Sequence, residues 1–371
     1  MKITLLHRVL GPVLALVLPW AGGCGPLFDP AHELKSLRVL GVKKDKPYAA
    51  PGETVELGML WHDVEGREIV PRWFSGCTNP PGDLYLGCFE QLSRVTAALP
   101  EAEGMPPGAL PPGVGLGFGD RFSFQIPDDI LSSRPPPQDP KQPKYGLSYV
   151  FFAVCAGRLS SAPSEGEATF PVRCLDENDT PLGPDDFVAG YTAVYTFEGF
   201  GNQNPAFLGF ESGGGFEFRG QRFEPDCVGE GCVPAANPLP DQPPPGEPPE
   251  IDCARPENAA RCVPACEDDG DPTCDEHALR AIADPASAEA DSVSAAIYDR
   301  QVQEQMWLNY YVDGGGLRSG VKLLNDATTG WNDEHGTDFF APKSPGIVRI
   351  WAVAHDNRGG TEFARFSVRV E

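Results

Sequence analysis

The cysteines are the residues with the greatest chemical potential in this chain. Eleven are present, and setting Cys24 aside leaves ten, an even number. Cys262, Cys266 and Cys274 could surround zinc together with His277, because zinc prefers sulfur and nitrogen ligands. In an exported chain, oxidation of an even set of cysteines to disulfides is the simpler fate. We therefore predict disulfides and no metal site.

The spacing of the cysteines suggests which ones pair, although their number alone cannot give the pairing. Near neighbours in sequence favour three bridges: Cys77 with Cys88, Cys155 with Cys174, and Cys227 with Cys232. The remaining four would then pair among themselves: Cys253, Cys262, Cys266 and Cys274.

Motifs of catalysis and cofactor binding are missing from the sequence. The histidines beyond His7 do not form the His-Glu-x-x-His arrangement of zinc proteases, and neither a Gly-x-Ser-x-Gly nor a phosphate-binding Gly-x-x-x-x-Gly-Lys motif occurs. Four glycines between residues 113 and 119 follow prolines, not a strand, and miss the dinucleotide-binding spacing. We predict no catalytic residues and no cofactor.

Acidic loops raise the question of calcium. If Gly270 is the sixth position of an EF-hand loop, Ala265 takes the first, where a carboxylate is required. The loop that starts at Asp176 fails because Pro181 stands at the glycine position. An irregular calcium site stays open at these loops, or at a third group: Asp333, Glu334 and Asp338. Solvated acidic loops are the simpler interpretation.

The N-terminus predicts export. Lys2 and Arg8 precede an apolar run from 9 to 20 that is too short to cross a bilayer, so residues 1–23 are typical of a signal peptide. The following Ala-Gly-Gly-Cys24 resembles the lipobox of bacterial lipoproteins, which implies a lipidated (palmitate-bearing) Cys24. Gly25 is not the Asp that retains some lipoproteins at the inner membrane, so this resemblance implies the outer membrane. The alternative is an ordinary secretory signal.

Charge and composition restrict the partners. The formal net charge of -24 disfavours nucleic acid, because phosphates would be repelled. The 42 glycines and 40 prolines indicate a globular chain with long irregular connections.

Period-two alternation predicts an all-β fold. Val55, Leu57, Met59 and Trp61 alternate with more polar neighbours, and near the C-terminus Val368 shares a face with its i±2 neighbours. We expect two antiparallel immunoglobulin-like β-sandwich domains joined by a Pro/Gly-rich linker. The expected boundaries are: signal 1–23, tether 24–35, first sandwich 36–199, linker 200–252, a Cys-rich stapled segment 253–276, and second sandwich 277–371. The linker should hold the two domains apart.

Two resemblances support these boundaries. The hairpin around Asp356-Asn-Arg-Gly-Gly360 resembles the last two strands of PKD-like and cadherin-like immunoglobulin-like domains. The segments starting at Leu37 and Ala50, with Ser75-Gly-Cys77, Asn204-Pro205 and the C-terminal hairpin, resemble a family of uncharacterised lipoproteins of high-GC Gram-negative bacteria. That family has no established activity to transfer.

The sequence therefore favours a non-enzymatic envelope protein held on the membrane by an N-terminal lipid. Its partners would be other envelope proteins or a surface polysaccharide. The alternative is a carbohydrate-binding or adhesion module that uses loops of the second domain, around Trp331 and His335. The tryptophans inside predicted strands are expected in the core, and Trp331 is expected to be exposed.

Overall fold

The computed structural model describes residues 30–97, 115–137, 139–162, 170–206, 215–226, 251–267 and 274–371. These residues are mostly β-strands in several sheets, which confirms the all-β class. No helix in these ranges is long and apolar enough to cross a bilayer.

Nine strands make up the first half of the described chain. Their bounds are β1 (Arg38–Lys44), β2 (Thr54–His62), β3 (Arg72–Thr78), β4 (Leu116–Phe118), β5 (Arg121–Gln125), β6 (Tyr145–Cys155), β7 (Arg158–Ser161), β8 (Val172–Leu175) and β9 (Phe187–Phe197). Sheet β1-β2-β5 faces sheet β4-β3-β6-β9, and β7-β8 form a separate hairpin.

Strand β6 is the centre of this half, because it is buried on both faces. Val150, Phe152 and Val154 point to the core shared with β2, whereas Tyr149 and Phe151 point to a second cluster on the outer face. The almost wholly apolar sequence of β6 follows from this double burial.

The second half contains eleven described strands. Their bounds are β10 (Phe216–Phe218), β11 (Gln221–Phe223), β12 (Cys262–Val263), β13 (His277–Ala281), β14 (Met306–Val312), β15 (Gly316–Leu317), β16 (Val321–Asp326), β17 (Gly330–Trp331), β18 (Thr337–Phe340), β19 (Gly346–Asp356) and β20 (Thr361–Val370). They form two sheets, β11-β10-β13-β18-β15 and β12-β20-β19-β14-β16-β17. A single apolar core lies between them, and Val368 is buried in it as the alternation predicts.

Two short α-helices depart from the strand-only expectation: α1 (Phe89–Thr96) and α2 (Ser292–Tyr298). Each has about two turns, too few for a helical period to stand out in sequence. Leu92 and Val95 of α1 pack on the outer face of β6. Asp291 caps α2 by accepting a hydrogen bond from the Ser294 amide at 2.9 Å. Short 3₁₀ helices cover Pro81–Asp83, Tyr85–Cys88, Pro256–Arg261 and Pro285–Ser287.

The two halves pack against each other, contrary to the expectation that a linker holds them apart. Residues 31–371 belong to one compact unit. Leu40 and Leu60 of the first half share a buried cluster with Trp351 and Val353 of β19. Burying apolar side chains of both halves against each other is favourable. This free energy exceeds the conformational entropy that the halves would keep if the proline-rich connection let them move independently.

The expected linker, 200–252, also differs from the prediction where it is described. β10 lies within it, and β10 pairs with β13 in the second half. Phe216 and Phe218 are fully buried there. The two phenylalanines alternate around Glu217, as expected of a strand. The glycine-rich sequence on either side made this segment resemble a linker.

The expected tether, 24–35, ends inside the fold. Glu33 forms a parallel bridge with Val312 of β14. The Leu34 amide donates to the Val312 carbonyl at 2.8 Å, and the Val312 amide donates to the His32 carbonyl at 2.9 Å. Residues 32–34 therefore pair with β14 of the second half before the chain continues into β1 of the first half.

Candidate functional site

Four disulfides take up the described cysteines beyond Cys24. Cys77–Cys88 and Cys155–Cys174 form as predicted. The four remaining cysteines pair as Cys253–Cys262 and Cys266–Cys274. This leaves no thiolate of the Cys262, Cys266 and Cys274 set for zinc. Cys24, Cys227 and Cys232 lie outside the described residues.

Two carboxylates of the acidic loops, Asp176 and Asp338, are hydrogen-bonded by the protein itself, and residues 268–273 lie outside the described residues. Asp176 accepts hydrogen bonds from the amides of Asn178 and Thr180, both at 2.8 Å, which makes a tight turn. The Asp338 carboxylate accepts from Arg318 Nε at 2.9 Å. Within the described ranges, no three His, Cys, Asp or Glu side chains are grouped to hold a metal ion.

Trp331 and His335, expected in an exposed binding loop, are not free. Trp331 is half-buried against the core of the second half, with its ring 6.0 Å from that of His335. His335 is buried, and its ring nitrogens lie 2.8 Å from the Asn332 carbonyl and 3.1 Å from the Ala281 carbonyl. The loop's aromatic residues therefore serve packing.

A buried group of charged side chains lies where the β19–β20 turn meets the first half, and we call it the ionic junction: Lys44, Glu304, Asp356 and Arg358. Asp356 organises the turn, because its Oδ1 accepts from the amides of Arg358 at 2.7 Å and Gly360 at 2.8 Å. A Cβ on Gly360 would lie 2.0 Å from Asp356 Oδ2, so only glycine fits.

Arg358 fills the centre of the ionic junction. Its guanidinium donates to Glu304 Oε2 at 2.5 and 2.9 Å and to Glu289 Oε2 at 2.7 Å. Burial, with the nearby Asp356 charge, raises the pKa of Glu304 to about 7, although Arg358 opposes the shift.

Lys44 connects the ionic junction to the first half. Its Nζ donates to the Ala193 carbonyl at 3.1 Å and to Thr192 Oγ1 at 3.3 Å. Burial lowers the pKa of Lys44 to about 8, an effect that the Asp356 charge partly offsets. Asn204, from the expected linker, donates from Nδ2 to the Lys44 carbonyl at 2.7 Å.

A carboxyl with a pKa near 7 is a common sign of a general acid or base. Glu304, however, is fully buried and bound to Arg358, so no substrate atom can reach it in this arrangement. The ionic junction therefore holds the two halves together, and its shifted pKa values follow from burial.

A different arrangement reaches solvent on the outer face of β6 and β9, and we call it the tyrosine cluster: Tyr145, Tyr149, Tyr191 and Tyr195. The register pairs Tyr149 with Ala193, so Tyr191 and Tyr195 stand on either side of a small residue. Rings of Tyr149 and Tyr191 are 5.4 Å apart, and those of Tyr145 and Tyr195 are 6.1 Å apart. Tyr191 is 45% exposed.

Asp83 lies next to these tyrosines. Its Oδ2 accepts from the Tyr145 hydroxyl at 2.5 Å, and its backbone carbonyl accepts from the Tyr149 hydroxyl at 2.8 Å. Arg134 pairs with the Asp83 carboxylate and lies 4.2 Å from the Tyr145 ring centre. Burial, and then the nearby Tyr195 and Tyr191 hydroxyls, raise the pKa of Tyr149 to about 12.

The loop before α1 completes this surface. Tyr85 stacks on Tyr191 with 4.5 Å between ring centres, and its neighbours Leu84 and Leu86 are 59% and 39% exposed. The Cys77–Cys88 disulfide closes the loop. Period-two alternation along β9 gives two faces and does not tell that the tyrosine face is the outer one.

A concave feature of the first half is lined by residues of β3, β5 and β6. Its volume is about 540 Å³, and hydroxyl side chains line much of it: Ser75, Thr78, Ser123 and Ser148. The buried Ser148 hydroxyl has no hydrogen-bond acceptor or donor within the part of the chain that the structure describes.

Neither a protein-family model nor a curated protein matches the chain. Among solved structures, it is similar to dimeric latent PorU from Porphyromonas gingivalis, at 10% identity and a TM-score of 0.18. That alignment covers 91% of this chain and 24% of the PorU chain, so this chain spans about a quarter of the length of that protein.

Proposed function

We propose that the protein is a non-enzymatic binding protein of the bacterial envelope, anchored to the outer membrane by a lipid on Cys24. The signal-like residues 1–23 and the Ala-Gly-Gly-Cys24 sequence support the anchor. The four disulfides support an oxidising compartment, because disulfides persist mainly outside the cytosol.

The observation that carries the binding function is the apolar tip of the loop Pro80–Cys88. Leu84 and Leu86 project into solvent beside the exposed Tyr191. Exposed apolar side chains grouped on a braced loop are typical of binding surfaces, because their exposure costs free energy that a partner would recover. By contrast, the carboxyl most suited to catalysis by its pKa, Glu304, is sealed in the ionic junction.

We also propose that each half is an immunoglobulin-like sandwich. Two facing sheets with one core between them support this in both halves. Packing of the halves through the ionic junction would present the binding loop on a fixed scaffold instead of on a swinging domain. This proposal differs from the alternative in which loops of the second domain, around Trp331 and His335, bind the ligand.

The anchor is tested by metabolic labelling with an alkyne fatty acid in the producing cells. Wild-type protein should carry the label and sediment with outer membranes. Cys24→Ala should carry none and accumulate as precursor. Equal labelling of the two proteins would refute the lipid anchor.

The binding surface is tested by placing a photo-cross-linking amino acid at Leu84 or Leu86 in the full-length protein. Val321, 62% exposed on β16, is the matched control position. We expect Leu84 and Leu86 to give discrete cross-linked envelope components and Val321 to give none. The same cross-linked products from all three positions would refute a specific surface at the loop.

A further inference from the structure

We propose that the tyrosine cluster and the loop Pro80–Cys88 bind a neutral saccharide chain of at least two sugar units. This inference rests on the proposed binding function and adds the ligand class and the residues. It places saccharide recognition on the first half, far in sequence from the Trp331 loop.

The first argument is a pair of aromatic side chains on one strand, Tyr191, which is exposed, and Tyr195, which is half-buried. Tyr191 and Tyr195 are four residues apart on one face of β9, so their backbones are separated by about 13 Å. The residue between them on this face is Ala193, whose side chain is small. Pyranose rings have flat faces of C–H groups that pack on aromatic rings, and this spacing requires more than one sugar unit to reach both tyrosines.

The second argument is the polar groups that surround these rings. The Asp83–Arg134 pair is partly exposed and lies beside the ring of Tyr145, so a donor and an acceptor group flank the aromatic rings. Sugar hydroxyls both donate and accept, so a mixed set of donors and acceptors beside an aromatic floor suits them.

The third argument is charge. The formal net charge of -24 would repel acidic polysaccharides and phosphate-bearing lipids. A small cation is also disfavoured, because Arg134 already occupies the face of Tyr145 and neutralises Asp83. A neutral, hydroxyl-rich ligand remains.

The fourth argument is preorganisation. Asn79 fixes the start of the loop, since its amide donates to the Leu147 carbonyl at 2.8 Å and its Oδ1 accepts from the Leu147 amide at 3.0 Å. The Cys77–Cys88 disulfide fixes the end. A surface held in this way loses little conformational entropy when a ligand binds.

The test is isothermal titration calorimetry of purified mature-length protein with three soluble neutral probes: cellotetraose, fully N-acetylated chitotetraose and mannotetraose. Binding of at least one probe is expected, and Tyr191→Ala should weaken it about tenfold by removing one stacking ring. Tyr191→Phe keeps the ring and should bind within about twofold of wild type. The matched control is Tyr298→Ala, because Tyr298 is 64% exposed but lies on α2.

Melting temperatures should be equal for all variants, so that a loss of binding is not a loss of folding. No binding of any probe at millimolar concentration would overturn the inference, as would equal weakening by Tyr191→Ala and Tyr298→Ala. The Leu84 cross-linking result is independent of these outcomes: cross-links to a protein without saccharide binding would leave the proposed function standing and refute only this ligand class. The probe that binds most tightly shows whether the ligand is a glucan, an N-acetylated aminosugar chain or a mannan.

Discussion

Lys43 Nζ lies 2.7 Å from Glu362 Oε2, and this contact connects strand β1 to strand β20 across the two halves. Lys43 is only 1% exposed. Burial raises the pKa of Glu362, and the Lys43 charge opposes that shift. The pair is therefore a specific contact between the halves, and its loss should lower the stability of both halves.

Removing one member of this pair should destabilise the protein strongly, because it leaves a buried charge without its counter-ion. We expect Lys43→Met to cost about 3–5 kcal/mol of unfolding free energy. The double variant Lys43→Met/Glu362→Met should cost less than the single one. Urea denaturation measures both, and a double variant less stable than Lys43→Met would contradict the pairing.

Phe216 tests whether the expected linker belongs to the second half. Phe216→Ala should cost about 3–5 kcal/mol, because it opens a cavity in a closed core. Glu217→Ala, at the neighbouring half-buried position whose carboxylate pairs with Arg280, should cost no more than about 1 kcal/mol. Thermal unfolding of the two variants decides the matter; similar melting points would mean that β10 is not part of the sheet.

The pH dependence of stability should depend on His62 and His355. Burial lowers the pKa of each to about 4, with Arg349 adding to the shift for His62 and Lys44 for His355. Between pH 4 and 6.5 each of these histidines is therefore protonated in the unfolded chain but neutral in the folded protein. The free energy of unfolding thus falls as the pH is lowered from 6.5 to 4. Glu304 opposes them, because its raised pKa makes the folded protein bind more protons between pH 4.5 and 7.

The measurement is urea denaturation of wild type and of His62→Gln/His355→Gln at pH 4.5, 5.5 and 6.5. Wild type should lose about 2 kcal/mol per histidine relative to the variant as the pH falls. A constant difference between the two proteins across this range would show that neither imidazole is buried in its neutral form.

The last strand offers a test of register. Val368 is fully buried, so Val368→Asp should cost more than about 4 kcal/mol by burying a charge. Arg369 faces the other side and is half-buried, so Arg369→Asp should cost less than about 1 kcal/mol. Equal losses would mean that β20 is placed one residue out of register.

The Cys77–Cys88 disulfide should matter for both stability and binding. Closing a loop of 11 residues restricts the unfolded chain by about 3 kcal/mol, so Cys77→Ser/Cys88→Ser should lower stability by that amount. Proteases should also cut the loop Pro80–Cys88 sooner. Cys253→Ser/Cys262→Ser, in the second half, should leave saccharide binding unchanged; an equal effect of both pairs on binding would remove the role assigned to the loop.

Much of the strand content could be predicted from sequence, because alternation depends only on which residues are apolar. Trp73 and Trp351 are buried as expected of strand tryptophans, and the predicted hairpin turn falls at 356–360. Packing of the halves could not be predicted. It depends on residues such as Leu40 and Trp351, whose separation in sequence hides their contact.

The proposed binding surface could not be predicted from the sequence for a similar reason. Tyr191 and Tyr195 follow the period of two that is typical of a strand, but this period gives two faces and does not say which of them meets the core. Asp83 reaches them only because the loop folds back after β3. Trp331, in contrast, was misjudged because a polar neighbourhood in sequence does not prevent an indole from packing on a core behind it.

The pairing of Glu33 with Val312 limits how far Cys24 can lie from strand β14. His32 is eight positions after Cys24, and eight extended residues reach at most about 28 Å. If Cys24 carries the lipid, strand β14 of the second half lies within that reach of the lipid-bearing residue, although β14 is more than 280 residues further along the chain.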